Sequence, residues 1–222
     1  MIDSLLVNPH IADYVASLVG DLPEWLEEAE QKARREEVPI IRKEAQGLLQ
    51  FFLAAKKPTE ILEIGTAVGF SASLMAYYTN FEVPITTIEK VPARIREATE
   101  RFQSRSEFSC ITLIPGDAEA VLTELEADGN RYSFIFLDAA KAQYPAYLSH
   151  LKHMMKDGAI LITDNILQEG SLAESKFTIT RRDRTIHMRM REFVESLFHD
   201  DHFTSTLLPV GDGMTVSVYS DR

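Results

Sequence analysis

The spacing of apolar positions along the chain changes once, near residue 58. Before that point it is helical: Ile11 to Val19 is apolar on one face, and Glu24 to Glu37 is charged and mostly solvated. Pro39 suits the first turn of a third helix, predicted to run to about Lys56, where Lys56-Lys57-Pro58 ends it. From Glu60 short apolar runs alternate with helical stretches; the runs are Glu60–Ile64, Ile85–Glu89, Ile111–Ile114, Ser133–Asp138 and Ala159–Asp164. Several are apolar on both faces, as strands of a helix-covered parallel sheet must be. A long charged helix over about Asp183 to His199 follows, then Phe203–Leu208 and Met214–Tyr219, separated by Gly211-Asp212-Gly213. Asp-Gly between apolar runs is a hairpin signal. The pattern predicts an α/β chain with a seven-stranded, mostly parallel sheet, a terminal antiparallel hairpin and N-terminal helices. It reads as a single domain, with residues 1–57 as a helical cap and 58–222 as the core.

Composition changes this picture little. The hydrophobic fraction is 45 %, enough for a core, and no apolar run approaches the roughly 20 residues needed to span a bilayer. The first twenty residues carry Asp3, His10 and Asp13 and lack the basic start and apolar stretch of a leader. The single cysteine, Cys110, cannot form an internal disulfide and reads as a buried small residue; a cytoplasmic location is expected. The six histidines show no zinc spacing and read as surface or core residues.

The chemistry gathers at the ends of the runs. The first ends in Glu63-Ile64-Gly65-Thr66-Ala67-Val68-Gly69, and a helix begins near Phe70-Ser71. Its glycines permit a tight turn close to a ligand, but G-x-x-x-G is neither the dinucleotide fingerprint nor a P-loop. Glu63 would repel a pyrophosphate and suits a ligand that brings an ammonium group, as S-adenosylmethionine does; that ligand's own carboxylate would rest near Ser71. Glu89 closes the second run, where an acid can accept both hydroxyls of a ribose. Gly116-Asp117-Ala118 closes the third, where a carboxylate can accept from an adenine amino group. Each acid taken alone would serve as a helix cap; three in chain order favour the cofactor.

The fourth run ends in Asp138-Ala139-Ala140-Lys141 and the fifth in Asp164-Asn165. In a doubly wound sheet, strand four lies beside strand one and strand five beside strand four, about 4.8 Å apart. Asp138 and Asp164 should then face one crevice, where they would repel without a cation between them. Asn165 adds a neutral oxygen. An all-oxygen set with two charges suits Mg2+, with Ca2+ or Mn2+ as alternatives. Lys141 lies at the mouth of the crevice, and a neighbouring cation would favour the neutral form that a general base needs.

Together these motifs resemble the catechol and caffeoyl-CoA O-methyltransferase family, from Val38-Pro39-Ile40 to Gly211-Asp212-Gly213. The resemblance implies a Rossmann-like class I methyltransferase fold, with Mg2+ on Asp138, Asp164 and Asn165 and Lys141 as base. It places Ile41, Glu63, Gly65, Thr66, Gly69, Ser71, Glu89, Asp117, Ala118 and Asp138 around the cofactor, and it suggests a homodimer built through the N-terminal helices or the terminal hairpin. Caffeoyl-CoA enzymes carry Asp-Ala-Asp-Lys, where this chain has Ala140 third; catechol enzymes carry Asp-His-Trp-Lys, and both rings are missing here. The run from Asp138 to Tyr144 looks most like the bacterial tRNA 5-hydroxyuridine methyltransferases, which usually have Gly where this chain has Ala142.

Charge bears on the substrate. A net charge of −11 argues against nucleic acid, yet Arg181, Arg182, Arg184, Arg189 and Arg191 fall within eleven residues, opposed only by Asp183. The block reads either as a solvated helix start or as a phosphate-binding rim, with Arg181, Arg182 and Arg184 as the tRNA contacts. Arg34-Arg35 and Lys56-Lys57 read as ordinary solvated charge, and 168–173 belongs to a substrate loop. The expected acceptor is wobble 5-hydroxyuridine of tRNA. The alternative is a small catechol or phenol.

Overall fold

A computed structural model describes residues 8–175 and 177–221. Three helices come first: α1 (Pro9–Leu18), α2 (Glu24–Arg35) and α3 (Lys43–Lys56). Then follow β1 (Ile61–Ile64), α4 (Phe70–Tyr78), β2 (Ile85–Glu89), α5 (Pro92–Gln103), β3 (Ile111–Pro115), α6 (Ala118–Ala127), β4 (Tyr132–Leu137) and α7 (Tyr144–Met154). The chain closes with β5 (Met155–Thr163), α8 (Arg184–His199), β6 (Phe203–Leu208) and β7 (Met214–Tyr219). The strands form one seven-stranded sheet in the order β3-β2-β1-β4-β5-β7-β6. The first five are parallel; β7 pairs antiparallel with both β5 and β6. The expected α/β architecture, hairpin included, is the one observed.

Alternation along the strands divides the core in two. Leu62, Ile64, Ile135, Leu137 and Leu161 face α6, α7 and α8, meeting Val121, Leu151, Phe193 and Leu197. Ile61, Phe134, Phe136, Ile160 and Ile162 face the other way, onto Leu26 of α2, Leu49 of α3 and Leu74 of α4. Every residue of β4 is buried, which explains its unbroken apolar run. The N-terminal helices thus complete one of the two layers on the sheet.

Two expectations need correction. The third helix starts at Lys43, and Pro39 does not occupy its first turn. The preceding segment is extended, with Arg42 at φ −68° and ψ 154°, and it lays Pro39, Ile40 and Ile41 over the C-terminal edge of the sheet. Burying Ile41, 2 % exposed, outweighs one more helical turn. Cys110 is half-buried at the end of a short 3-10 turn, where partial burial pushes its thiol pKa up. Among the described residues no helix is long and apolar enough to cross a membrane.

Candidate active site

Register assembles the site. Ile64 pairs with Ile88 and with Leu137, and Leu137 pairs with Thr163. The next residues along, Gly65, Glu89, Asp138 and Asp164, therefore share the C-terminal edge of four neighbouring strands. The ladder runs one step past the strands: the amides of Gly65, Asp138 and Asp164 donate to Ile88, Ile64 and Leu137 carbonyls at 3.1, 3.0 and 3.0 Å. Here the order of the sheet reverses between β1 and β4, the place where open α/β sheets bind ligands.

A cavity of about 470 Å3 opens over this edge. Ile41, Gly65, Thr66, Ser71, Glu89, Ala118, Asp138, Lys141 and Asn165 line it, as do Arg94 and Tyr147, which the sequence did not single out. Gly65, at φ 105°, is fixed by close approach: a Cβ there would lie 1.9 Å from the Asp138 carbonyl oxygen. Gly69 sits at the N-cap of α4 and does not itself line the cavity.

Glu63 lies fully buried beneath the loop. Burial pushes its pKa up to about 7, against the pull of Ser71 and Thr87 and with help from the Asp138 and Glu89 charges. Thr87 donates to one of its oxygens and also bonds Thr66, while Oε1 has no hydrogen-bond partner among the described residues. A buried carboxylate oxygen with no donor beside a cavity fits a ligand that carries an ammonium group. Glu89 Oε1 accepts from the Lys90 and Val91 amides at 2.8 and 2.9 Å, and Oε2 accepts from Ala67 at 2.9 Å. Those bonds fix the carboxylate at the cavity wall and leave lone pairs for a ribose. Asp117 stands apart. It caps α6 through the Glu119 amide and faces Lys90 at 3.5 Å, and only its neighbours Gly116 and Ala118 reach the cavity.

Asp138, Asp164 and Asn165 converge beside it. Asn165, in the left-handed region at φ 58°, donates through Nδ2 to Asp138 Oδ1 at 3.1 Å. Asp164 Oδ1 accepts the Asn165 amide at 2.7 Å. Burial raises the pKa of Asp138, partly offset by Asn165 and Lys141. Burial and the Asp138 charge push Asp164 up to about 7. Two carboxylates that repel, Asp164 buried and Asp138 partly exposed, with the Asn165 carboxamide beside them, fit a hard cation. Three oxygen donors do not fill the shell of such a cation, so this set would leave positions for water and substrate.

The loop after β4 is held by a residue that periodicity could not flag. The Tyr144 hydroxyl, fully buried, accepts from the Ala139 amide at 3.1 Å and donates to the Ala139 carbonyl at 3.3 Å. Lys141 follows, its Nζ 4.0 Å from Asp212 Oδ2. Lys141 and Asp212 also line a second cavity, walled by Gln168, Thr178, Ile179, Asp183 and His187. Arg181, Arg182 and Arg184 lie exposed where α8 begins, next in sequence to the lining residues Thr180 and Asp183. Arg184 Nε donates to the Ile179 carbonyl; Arg189 and Arg191 donate to the Ala142 and Glu174 carbonyls. The basic block is thus split between arginines tied to backbone and Arg181 and Arg182, which have no ion pair among the described residues.

Comparison with known proteins agrees with this geometry. A family model described as O-methyltransferase matches residues 17–219. A caffeoyl-CoA O-methyltransferase of Stellaria longipes is 29 % identical over 171 residues, covering 76 % of this chain and 71 % of the relative. The fold matches an O-methyltransferase of Bacillus cereus solved with S-adenosylhomocysteine, at TM-score 0.82 and 22 % identity, over 95 % of this chain and 97 % of that one. It also matches an O-methyltransferase of Streptomyces achromogenes solved with S-adenosylmethionine, at TM-score 0.82 and 23 % identity, over 99 % of this chain and 100 % of that one. With its model spanning the chain from α2 through the whole sheet, and with the acids of four strand ends gathered around one cavity, the chain belongs to the O-methyltransferase family.

Proposed function

We propose that this chain methylates, with S-adenosylmethionine and a divalent cation, a hydroxyl that has a second oxygen beside it, and that its acceptor is 5-hydroxyuridine at the wobble position of tRNA. The reading rests on one juxtaposition: the Asp138–Asp164–Asn165 set stands at the cofactor cavity, which Asp138 and Asn165 line, and Lys141 lines both that cavity and the second one. S-adenosylmethionine, when bound, supplies the methyl group. The cation supplies positive charge for the two neighbouring oxygens of the acceptor.

The chain's own residues do the rest. Glu63 and Glu89 hold the cofactor by its ammonium and ribose ends, Ala118 flanks the adenine, and the Gly65 turn lets it lie close to the sheet. Asp138, Asp164 and Asn165 hold the cation. Lys141 takes the proton of the acceptor hydroxyl on Nζ. The RNA reading is supported by the second cavity, whose described lining residues include no Phe, Tyr or Trp, and by the exposed Arg181 and Arg182, which stand in sequence between its lining residues Thr180 and Asp183. A free catechol or phenol is the second reading; the name of the Stellaria longipes relative favours it.

Mass spectrometry of tRNA nucleosides from cells lacking the protein tests the proposal. Loss of 5-methoxyuridine with accumulation of 5-hydroxyuridine is expected, and the purified chain should restore the methyl group only when Mg2+ is present. An unchanged nucleoside profile would return the acceptor to the small-molecule class, and full turnover in EDTA would remove the cation.

A further inference from the structure

The second cavity carries two polar side chains that have no hydrogen-bond partner among the described residues. His187 is 1 % exposed, and neither ring nitrogen has a hydrogen-bond partner. Gln168 Nε2 is likewise buried and unpaired. Both line the same cavity, as do Lys141 and Asp212. Burying such groups unpaired weakens folding, and an apolar side chain would pack in either place without that penalty.

Their placement is not slack. Asp183, Ile186 and His187 share one face of α8, by i, i+3 and i+4 spacing, and all three line the cavity. Gln168 sits in a loop held in an unfavourable conformation, with φ 49° at Gln168 and 56° at Glu169. The hairpin turn pins that loop: the Leu167 amide donates to the Asp212 carbonyl at 2.8 Å, and the Glu169 amide to Asp212 Oδ1 at 2.6 Å. The same Asp212 faces Lys141. One residue therefore couples the loop that carries Gln168 to the catalytic lysine.

We infer that Gln168 and His187 are specificity-determining residues that read the polar edge of a heterocyclic acceptor, one that carries carbonyl and ring N–H groups beside its hydroxyl. This rests on the acceptor reading above. A neutral imidazole offers one N–H and one lone pair, and a primary amide offers N–H donors. A hydroxylated pyrimidine supplies the complement through its carbonyl oxygens and ring N–H. The far edge of a catechol has only C–H groups and leaves both side chains unpaired, which is how a polar site rejects an apolar analogue.

The test compares kcat/KM for 5-hydroxyuridine and for catechol in the native chain, Gln168→Leu, His187→Leu and His187→Asn. Calorimetric binding of 5-hydroxyuridine is measured beside it, with S-adenosylhomocysteine and Mg2+ present. Each leucine variant should lower the 5-hydroxyuridine-to-catechol ratio by about tenfold or more and weaken 5-hydroxyuridine binding by a similar factor. His187→Asn, which keeps a donor and an acceptor, should recover part of both. A ratio and an affinity unchanged in both leucine variants would overturn the inference while leaving the functional reading intact. A native chain that turns over neither acceptor counts against the functional reading instead. Calorimetry then still decides the present point, since absent binding, or binding indifferent to both substitutions, overturns it. If His187→Leu does not fold, Gln168→Leu, in a loop, carries the comparison.

Discussion

At the scale of single residues, the site is a set of acids placed where water cannot screen them. Asp164 shows what that costs and what it is for. Its pKa, pushed up to about 7 by burial and by Asp138, lies above the ordinary carboxylate value, so the folded, metal-free chain binds a proton there that the unfolded chain has released. Stability from this group is therefore full below about pH 4 and is lost as pH rises toward 7. Asp164→Asn should raise the melting temperature of the metal-free chain at pH 8 and leave it nearly unchanged at pH 4. Mg2+ should stabilise the native chain and should not stabilise this variant. It should also lose methyl transfer by roughly 100- to 1000-fold, or about 3–4 kcal/mol of barrier, with cofactor affinity kept. Thermal scans with and without Mg2+, beside a turnover assay, check all three. Normal turnover, or loss of cofactor binding, would take Asp164 out of the cation set.

At the scale of elements, polar ties between helix and strand ends hold the frame that carries the loops. Asp200 follows α8 and joins three elements: Lys152 of α7 bonds one carboxylate oxygen, and the amide and ring of His202, just before β6, bond the other. Burial opposes its ionisation, but those donors outweigh it and bring the pKa down to about 2. A lowered acid pKa gives stability that is present above the unfolded value near 4 and fades as pH falls toward 2. Asp200→Asn should cost about 1–2 kcal/mol at pH 6, less than full burial would imply because the group is partly solvated, and almost nothing at pH 2. Urea unfolding at the two pH values measures it; an equal cost at both would mean the pair with Lys152 contributes no charge-dependent stability.

At the scale of the whole molecule, a chain of net charge −11 exposes Arg181, Arg182 and Arg184, the proposed phosphate-binding rim, where α8 begins. Overall repulsion of a polyanion and local attraction then compete, and salt dependence separates them. Replacing Arg181, Arg182 and Arg184 by Ala should weaken tRNA binding and reduce its salt slope by about 0.7–0.9 for each lost phosphate contact. Turnover of free catechol should change far less, because a small acceptor needs no rim. Affinity across a salt series, set beside catechol turnover, is the measurement. Equal losses on both substrates would point to misfolding, and an unchanged tRNA affinity would leave these arginines as solvated charge.

How much of this was legible in the chain follows from how each feature is encoded. Strands buried on both faces must be continuously apolar, so their ends, and the acids Glu63, Glu89, Asp138 and Asp164 standing there, are conspicuous in one dimension. Parallel pairing with short crossovers then allows few orders, and the crevice between β1 and β4 follows from topology. Other features have no periodic signature, because their partners are remote in sequence. Nothing in the sequence separates the half-exposed Asp117 from the wall residues Gly116 and Ala118, or marks the extended stretch before Lys43 as a cavity cover. Tyr144 as the clasp of the loop after β4, Asp212 as the pin of the 166–169 segment, and Gln168 and His187, unpartnered among the described residues, emerge only once α8, the β5–α8 loop and the hairpin have packed together. The sequence by itself determined the sheet, its order and the acids on its edge, since burial on a strand dictates residue type position by position. Tertiary structure alone decided what surrounds the acceptor, since a single polar side chain acquires its meaning from which distant groups it meets or lacks.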